Sequence, residues 1–416
     1  MNVLLQQAVA VASGDSLGLA ETEWNLAHYA FYAGESLPAR AHGERALALA
    51  RQVRAQELTA RSLSVLGYIH LGLSDWAAAE AYAEQGQALY AALVDRVAEA
   101  DCVCQVANAR LNCGRLVEGT AAARAARAIN LEFENAWGLA LSDVHLSHAL
   151  LEAGDYVEAL RIAQESAATA RKLGMNALLI FGLAGLGGVQ RALFDLEAAQ
   201  ATHLEAQAVN AVFPSQPFMD LVGSELCADR ALAGDWKAAQ AYARQALAGR
   251  GRMNGPFSGL TRWLEIEALV RGGQMQAARD DVQRFATAYG DSPRFRLAWL
   301  RALAELDIWP NEWRGETAAI EGGPATMPQP GVQAAITHLR EAAALAEQMG
   351  LPGEIWEINA ALGELYRTAG EADLAERAFG HAAEVIRSLA GRLDDEGLRA
   401  TFLAAEPVRR VLEQYT

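Results

Sequence analysis

The feature that most constrains this chain is a turn motif whose first six copies recur at a constant step of 40 residues, with two more copies after steps of 39 and 97 residues. In most copies a glycine ends one helical pattern and a polar residue opens the next. The motif begins at Gly34, Ser74, Gly114, Gly154, Phe194 and Gly234, and then at Gly273 and Gly370. A fixed period of this size indicates a solenoid, because each unit can bury its apolar side only by stacking on its neighbours.

Each motif is flanked by residues that predict a helix hairpin. Glycine accommodates the left-handed backbone that ends many helices, and an aspartate such as Asp75 can cap the first amides of the next helix. Small residues recur five positions after and seven positions before the turn, as Ala39 and Ala27 do around Gly34. Small side chains at both places allow two helices to approach closely. We therefore expect two helices in each repeat.

The pattern resembles the tetratricopeptide repeat family, most clearly in Leu362-Gly363-Glu364-Leu365-Tyr366 followed by Gly370 and Ala375. The step of about 40 residues exceeds the usual 34, and we expect the extra length in the second helix and the loop after it. Repeats of this length resemble the superhelical sensor domains of bacterial STAND ATPases, maltose-regulator-like activators and multidomain nucleotide cyclases. The resemblance implies an all-α, right-handed superhelical α-solenoid of about nine hairpins plus a C-terminal capping helix.

Both ends of the chain differ from the repeats. Residues 1–16 read as the second helix of an incomplete preceding repeat, ahead of a solenoid over residues 17–392. This start in mid-repeat favours a piece of a longer protein, or a chain that docks another subunit at that end, although a short N-terminal helix acting as a cap would give the same pattern. Residues 393–416 predict a capping helix, because apolar residues such as Phe402 and Val408 can cover the last hairpin.

One segment interrupts the period. Residues 308–331 are rich in proline and glycine, which predicts an irregular insertion between two helices. Trp309 and Trp313 either anchor this insertion on the solenoid, which we favour, or form a binding lip.

Composition excludes several classes of function. The formal net charge is −16, from 35 basic and 51 acidic residues, so direct binding of nucleic acid is not expected. The sequence shows no secretory leader and no apolar stretch long enough to span a membrane, which predicts a cytoplasmic protein. Its 4 cysteines form no C-x-x-C pair and are expected to be buried thiols.

Motifs for catalysis or cofactor binding are missing from the sequence. There is no Walker-type phosphate loop, no nucleophile elbow and no H-E-x-x-H pair. His145 and His148 share a helix face but lack a third ligand, so neither metal nor cofactor is expected. The glycine-rich run at residues 182–188 indicates close helix packing, with a bend at a ligand pocket as the alternative. We expect a protein that is not an enzyme.

The resemblance implies that the first helix of each hairpin lines a concave groove. The helical period places an aromatic and polar stripe on these helices, which favours recognition over a plain scaffold. The predicted groove residues are Trp24, His28, Phe31, Tyr32, Arg61, Ser64, Tyr68, Asn108, Asn112, His148, Glu152 and Arg191.

These expectations combine into one function and one alternative. The first is a scaffold or sensor domain that binds a protein or peptide ligand in its groove. The resemblance implies that it is the C-terminal part of a larger bacterial signalling ATPase, cyclase or transcription regulator, with an upstream ATPase or cyclase domain in the same chain. The alternative is a sensor that binds a small-molecule effector, a metabolite, in a tighter groove.

Overall fold

The computed structural model describes residues 15–212, 216–249, 259–288, 291–309 and 329–414, and in these segments all regular structure is α-helical. The helices are α1 (Ser16–Tyr32), α2 (Ser36–Gln52), α3 (Gln56–Gly72), α4 (Trp76–Ala92), α5 (Arg96–Asn112), α6 (Leu116–Glu132), α7 (Ala136–Glu152), α8 (Tyr156–Lys172), α9 (Asn176–Ala192), α10 (Leu196–Val212), α11 (Gln216–Leu232), α12 (Trp236–Gly249), α13 (Arg262–Arg271), α14 (Met275–Ala288), α15 (Pro293–Ile308), α16 (Gln329–Met349), α17 (Pro352–Thr368), α18 (Ala372–Gly391), α19 (Glu396–Ala404) and α20 (Glu406–Gln414). The predicted all-α fold of helix hairpins is confirmed.

The chain divides into two compact units, which are described separately. Unit 1 comprises residues 1–145 and 251–256, and unit 2 comprises residues 146–250 and 257–416. In unit 1, α1 packs on α2 and α3 on α4, and the first helices of successive hairpins also touch, α1 with α3 and α3 with α5. In unit 2 the same arrangement joins α9 to α11, α11 to α13 and α13 to α15. Each unit therefore has a first-helix layer, and this layer carries the predicted site.

The length of the repeat is shared equally between its two helices. Each helix from α1 to α11 has 17 residues, and most of them are joined by links of three residues. The expectation that the second helix and its loop hold the extra length is wrong. The physical reason is that the chain turns every 20 residues through a left-handed residue, alternately in the predicted motif and in Arg54, Val94, Glu134 or Gly174. Because three of these four are not glycine, the sequence pattern revealed only every second turn.

The predicted turn geometry and the predicted small residues are confirmed. Gly34 and Gly114 have φ angles of 77° and 74°, and Ser74 and Phe194 take the same left-handed conformation without being glycine. Ala39 and its counterparts five residues after the later turns are buried at the helix contacts. These positions have no room for larger side chains.

The glycine-rich run in α9 serves close packing, as predicted. A Cβ atom on Gly182 would lie 3.3 Å from the backbone of Ala167 in the preceding helix. A Cβ on Gly187 would lie 2.3 Å from Nε2 of His203, a fully buried side chain of α10. Any side chain at Gly187 would displace this histidine.

The ends and the insertion are only partly described. Of the proposed partial repeat at residues 1–16, residues 1–14 lie outside the described residues. Asp15 is the first described residue, and its side chain caps the first turn of α1. Most of the predicted insertion, with Trp313, also lies outside them. Trp309 is buried in the hydrophobic core beside α13, as expected of an anchor.

The predicted capping segment forms two short helices. α19 ends at Ala404 and α20 begins at Glu406, with Ala405 extended at a ψ angle of 134°. Pro407 lies in the first turn of α20, where its missing N–H costs nothing and where it disfavours continuation of α19. Phe402 and Val408 are fully buried, as the sequence predicted.

None of the described helices is long and apolar enough to cross a lipid bilayer. The four cysteines are free thiols, and Cys102, Cys104 and Cys227 are buried.

Candidate functional site

The first-helix layer of unit 1 carries a continuous row of aromatic rings. Trp24, His28 and Tyr32 follow one another at intervals of four residues along α1, with ring centroids 4.3 Å and 6.1 Å apart. Phe31 lies 5.5 Å from Tyr32 and 6.5 Å from Tyr68 of α3. We call these five residues the aromatic stripe. Tyr32 is 81% exposed, so most of this large aromatic residue is open to solvent.

The stripe is polar at its edge on α3. The guanidinium carbon of Arg61 lies 3.8 Å from the centroid of the Trp24 ring, and the indole N–H of Trp24 donates to the carbonyl of Arg61 at 3.2 Å. Burial, and then the charge of Arg61, lowers the pKa of His28. His28 is therefore neutral at physiological pH, and Arg61 is the cation on this part of the stripe.

A carboxylate of α5 lies against the same face of α3. Asp101 of α5 accepts hydrogen bonds from the Tyr68 hydroxyl at 2.5 Å, from Ser64 Oγ at 3.4 Å and from Gln105 Nε2 at 3.3 Å. Burial raises the pKa of Asp101, while its three hydrogen bonds oppose that change. Burial and the neighbouring Asp101 raise the pKa of Tyr68 well above its usual value, so the phenol stays a donor.

Two of the predicted groove residues in unit 1 are not accessible. Asn108 and Asn112 are buried, and Asn112 Nδ2 donates to the side-chain oxygen of Asn108 at 2.5 Å and to its carbonyl at 2.8 Å. The structure thus brings together Trp24, His28, Phe31, Tyr32, Arg61, Ser64 and Tyr68 of the predicted set. The two asparagines are bonded to each other within α5.

The other three predicted residues belong to unit 2 and have partners there. Arg191 donates to Glu225 at 2.5 Å and to Asp229 at 3.0 Å. Asp229 also contacts His203, whose ring nitrogen lies 2.6 Å from its carboxylate. Burial alone would raise the pKa of Asp229, but the charges and hydrogen bonds of His203 and Arg191 outweigh it and hold that pKa below its usual value.

Glu152 forms part of a second ion network in unit 2. Arg294 donates to Glu152 through two nitrogens, at 2.6 Å and 3.1 Å, and to Glu354 at 2.8 Å. Arg301 continues the network to Glu354 and Glu357. Burial, and then the charge of Arg294, lowers the pKa of His148 to about 3, so this histidine is neutral. The ion pairs of this network connect α7, α15 and α17, which are far apart in sequence. Their role is therefore structural.

One carboxyl group of unit 2 stands out by its lack of partners. Glu305 forms no hydrogen bond or ion pair with any residue of the described segments. Burial, and then the charge of Glu267, raises the pKa of Glu305 to about 8. Glu267 itself is engaged by Arg271 at 2.7 Å and 2.9 Å. Glu305 is therefore largely protonated at neutral pH.

Sequence reasoning missed Asp101, although a signal for it existed. Asp101 stands 13 residues before Gly114, the position relative to the turn that the predicted residue Arg61 holds before Ser74. The charge networks of Arg294 and Arg301 had no such signal, because their partners come from distant repeats. Within the described segments, no group of three His, Cys, Asp or Glu residues is arranged to hold a metal ion.

Comparisons with known proteins bear on the fold. No family model and no curated protein sequence matches this chain. The crystal structure of a Rap protein complexed with competence and sporulation factor is similar to it, with a TM-score of 0.62 and 11% identity over 90% of this chain and 99% of that chain.

Two further structures are more distant. The apo form of RapI gives a TM-score of 0.48 at 11% identity, over 90% of this chain and 99% of that chain. The APC/C hetero-tetramer Cut9–Hcn1 gives 0.35 at 12% identity, over 99% of this chain and 92% of that chain. With its stacked helix hairpins, this chain has a tetratricopeptide-like helical-repeat fold.

Proposed function

We propose that the protein is a non-catalytic scaffold that binds a protein or peptide through the aromatic stripe of unit 1. The observation that carries this proposal is the exposure of Tyr32 at the end of a row of neighbouring aromatic rings with polar groups at its edge. Rigid aromatic side chains with a polar surround dominate the binding energy of many protein interfaces. The similarity to a Rap protein in complex with a factor supports the fold needed for such a role.

The described part of the stripe suits an extended ligand better than a small metabolite. Its rings run along α1 and continue onto α3, and Tyr32 lies open to solvent at one end. A metabolite site usually encloses most of its ligand. The alternative of a small-molecule effector therefore remains second, with no specific contact in its favour.

We propose further that this scaffold serves as a cytoplasmic sensor module of a larger signalling protein, such as an ATPase, a cyclase or a transcription regulator. The long repeat resembles modules of that kind, and free thiols suit a reducing compartment. Sequencing the gene upstream of residue 1 tests the context. A reading frame that continues into an ATPase or cyclase domain is the expected result, and a stop codon without such a domain would contradict it.

The binding site itself can be tested with a random dodecapeptide display library selected against the full chain. Binding of the selected peptides is then measured for the wild type, for Tyr32→Ala and for Tyr29→Ala. Tyr29 is a matched control, because it is a tyrosine of the same helix, 37% exposed, that forms no ring contact with a described residue. We expect Tyr32→Ala to weaken binding more than tenfold, the loss typical of an aromatic hot spot, and Tyr29→Ala to leave it nearly unchanged. Equal affinities for the two variants would refute the proposed site.

A further inference from the structure

Three arginines of the described segments stack on tryptophan rings, and one of them differs from the others. The shortest of these pairs are Arg61 with Trp24, Arg271 with Trp236 and Arg301 with Trp263, at 3.8, 4.1 and 4.1 Å from the guanidinium carbon to the ring centroid. Arg271 also pairs with a glutamate, and Arg301 pairs with two. The guanidinium of Arg61 forms no hydrogen bond or ion pair with any described residue. Stacking holds it in place and leaves its N–H donors unused.

Asp101 shows the same feature with the opposite charge. Its carboxylate is held only by the neutral donors Tyr68, Ser64 and Gln105, and it has no cationic partner in the described part of the chain. Burial disfavours the charged form of Asp101, and this raises its pKa. An added cation at this position would remove that cost.

The two uncompensated charges meet the same face of α3 at successive turns and lie toward different neighbouring helices. Arg61 stacks toward α1, whereas Asp101 belongs to α5 and is bonded to Ser64, one turn after Arg61 on α3. Neighbouring helices are spaced by roughly 8–10 Å, which sets the scale of the separation between the two groups. An extended peptide covers that distance in about three residues.

We infer that Arg61 and Asp101 form a two-charge recognition site for a peptide that carries an acidic side chain and a basic side chain about three residues apart. The acidic group binds the fork of Arg61, the basic group binds Asp101, and the aromatic stripe takes an apolar side chain between or beside them. This inference rests on the proposed function. The inference adds a binding direction to the proposed function, because the order of the two charges along the peptide fixes how the peptide lies across α3.

The inference can be tested with a synthetic array of decapeptides in an alanine–serine background with one tryptophan. Two positions, separated by one to four residues, carry every combination of Glu, Gln and Lys. Affinities are measured for the wild type and for R61Q and D101N; each substitution removes one charge and keeps a polar side chain at its position. Arg51→Gln and Glu44→Gln, two exposed charges of α2, serve as controls, and circular dichroism checks the fold of every variant.

We expect the wild type to bind peptides with one Glu and one Lys about tenfold more tightly than peptides with two Gln, the effect of a charge-assisted hydrogen bond. R61Q should lose the preference for Glu and keep that for Lys, and D101N should do the reverse. The controls should retain both preferences. Wild-type binding that ignores both charges, or variants that keep both preferences, would overturn the inference and leave the stripe intact. Binding of none of the peptides, together with failed selection from the display library, would instead refute the proposed function.

Discussion

The ring of Phe194, in the turn between α9 and α10, lies 6.0 Å from the ring of Phe402 in α19. Phe194 holds the left-handed position that most motif turns give to glycine, with a φ angle of 61°. Its ring also lies 6.2 Å from that of Trp356. Aromatic contacts within unit 2 thus keep a bulky residue where the backbone alone favours glycine.

A double-mutant cycle of Phe194→Ala and Phe402→Ala tests this relationship. Phe402 is fully buried, so its replacement should cost about 3–5 kcal/mol of unfolding free energy in urea. Because the two rings touch, the double variant should be more stable than the sum of the single losses by about 0.5–1.5 kcal/mol. A control cycle with Leu173→Ala, an exposed residue directly after α8, should be additive. Additivity in both cycles would show that the rings do not interact.

The backbone of Val94 is strained, and its exposed side chain does not offset the strain through packing. It takes a φ angle of 61° in the link between α4 and α5, and its side chain is 79% exposed. A β-branched residue in this conformation costs about 1–2 kcal/mol relative to glycine, part of which glycine loses again through unfolded-chain entropy. Val94→Gly should therefore raise the unfolding free energy by up to about 1 kcal/mol, as measured by urea denaturation.

Val117 supplies the matched control for that change. It is also a valine with 79% exposure, but it lies in the first turn of α6 with helical backbone. Val117→Gly should lower the unfolding free energy by about 0.5 kcal/mol, since glycine is a poor helix former. Changes of the same sign for both valines would contradict the argument from backbone conformation.

The sequence allowed the fold to be predicted because its period is carried by local chemistry. Gly34 and Gly114 mark left-handed turns, and Ala39 marks a helix contact, wherever the chain lies in space. The links at Arg54 and Val94 escaped notice because nothing in those side chains signals a positive φ angle. Their conformation is imposed by the two helices that they join.

The candidate site was predictable to the extent that it lies on single helices. The aromatic stripe on α1 follows from the helical period alone. The partners of Arg191 and Glu152 come from residues 34 to 142 positions away, so their ion pairs could not be read from spacing. These two residues were predicted as binding residues, and the structure shows them engaged with partners of their own unit.

Replacement of Arg294 tests how much its ion network contributes to the unfolding free energy. Arg294→Met leaves the largely buried carboxylate of Glu152 without its arginine partner and takes one of two arginine partners from Glu354, which should lower the unfolding free energy by about 3–5 kcal/mol. Arg296, two residues further along α15, has an exposed side chain and pairs with Glu341 at the surface. Arg296→Met should cost less than about 1 kcal/mol. A small loss for both variants would mean that the Arg294 network contributes no stability.

The carboxyl of Glu305, close to that of Glu267, predicts a pH dependence of unit 2. Because burial and Glu267 raise its pKa from 4.5 to about 8, the folded state binds a proton that the unfolded state releases. Stability from this group is complete below about pH 4.5 and is lost as the pH rises toward about 8. Glu305→Gln keeps the neutral form at every pH, so it should stabilise the protein at pH 8 by more than about 1 kcal/mol and have little effect near pH 5. Urea denaturation across this range measures the difference, with the exposed Glu341→Gln as a control that should follow the wild type. A wild-type slope that persists in the Glu305→Gln variant would assign the pH dependence to another group.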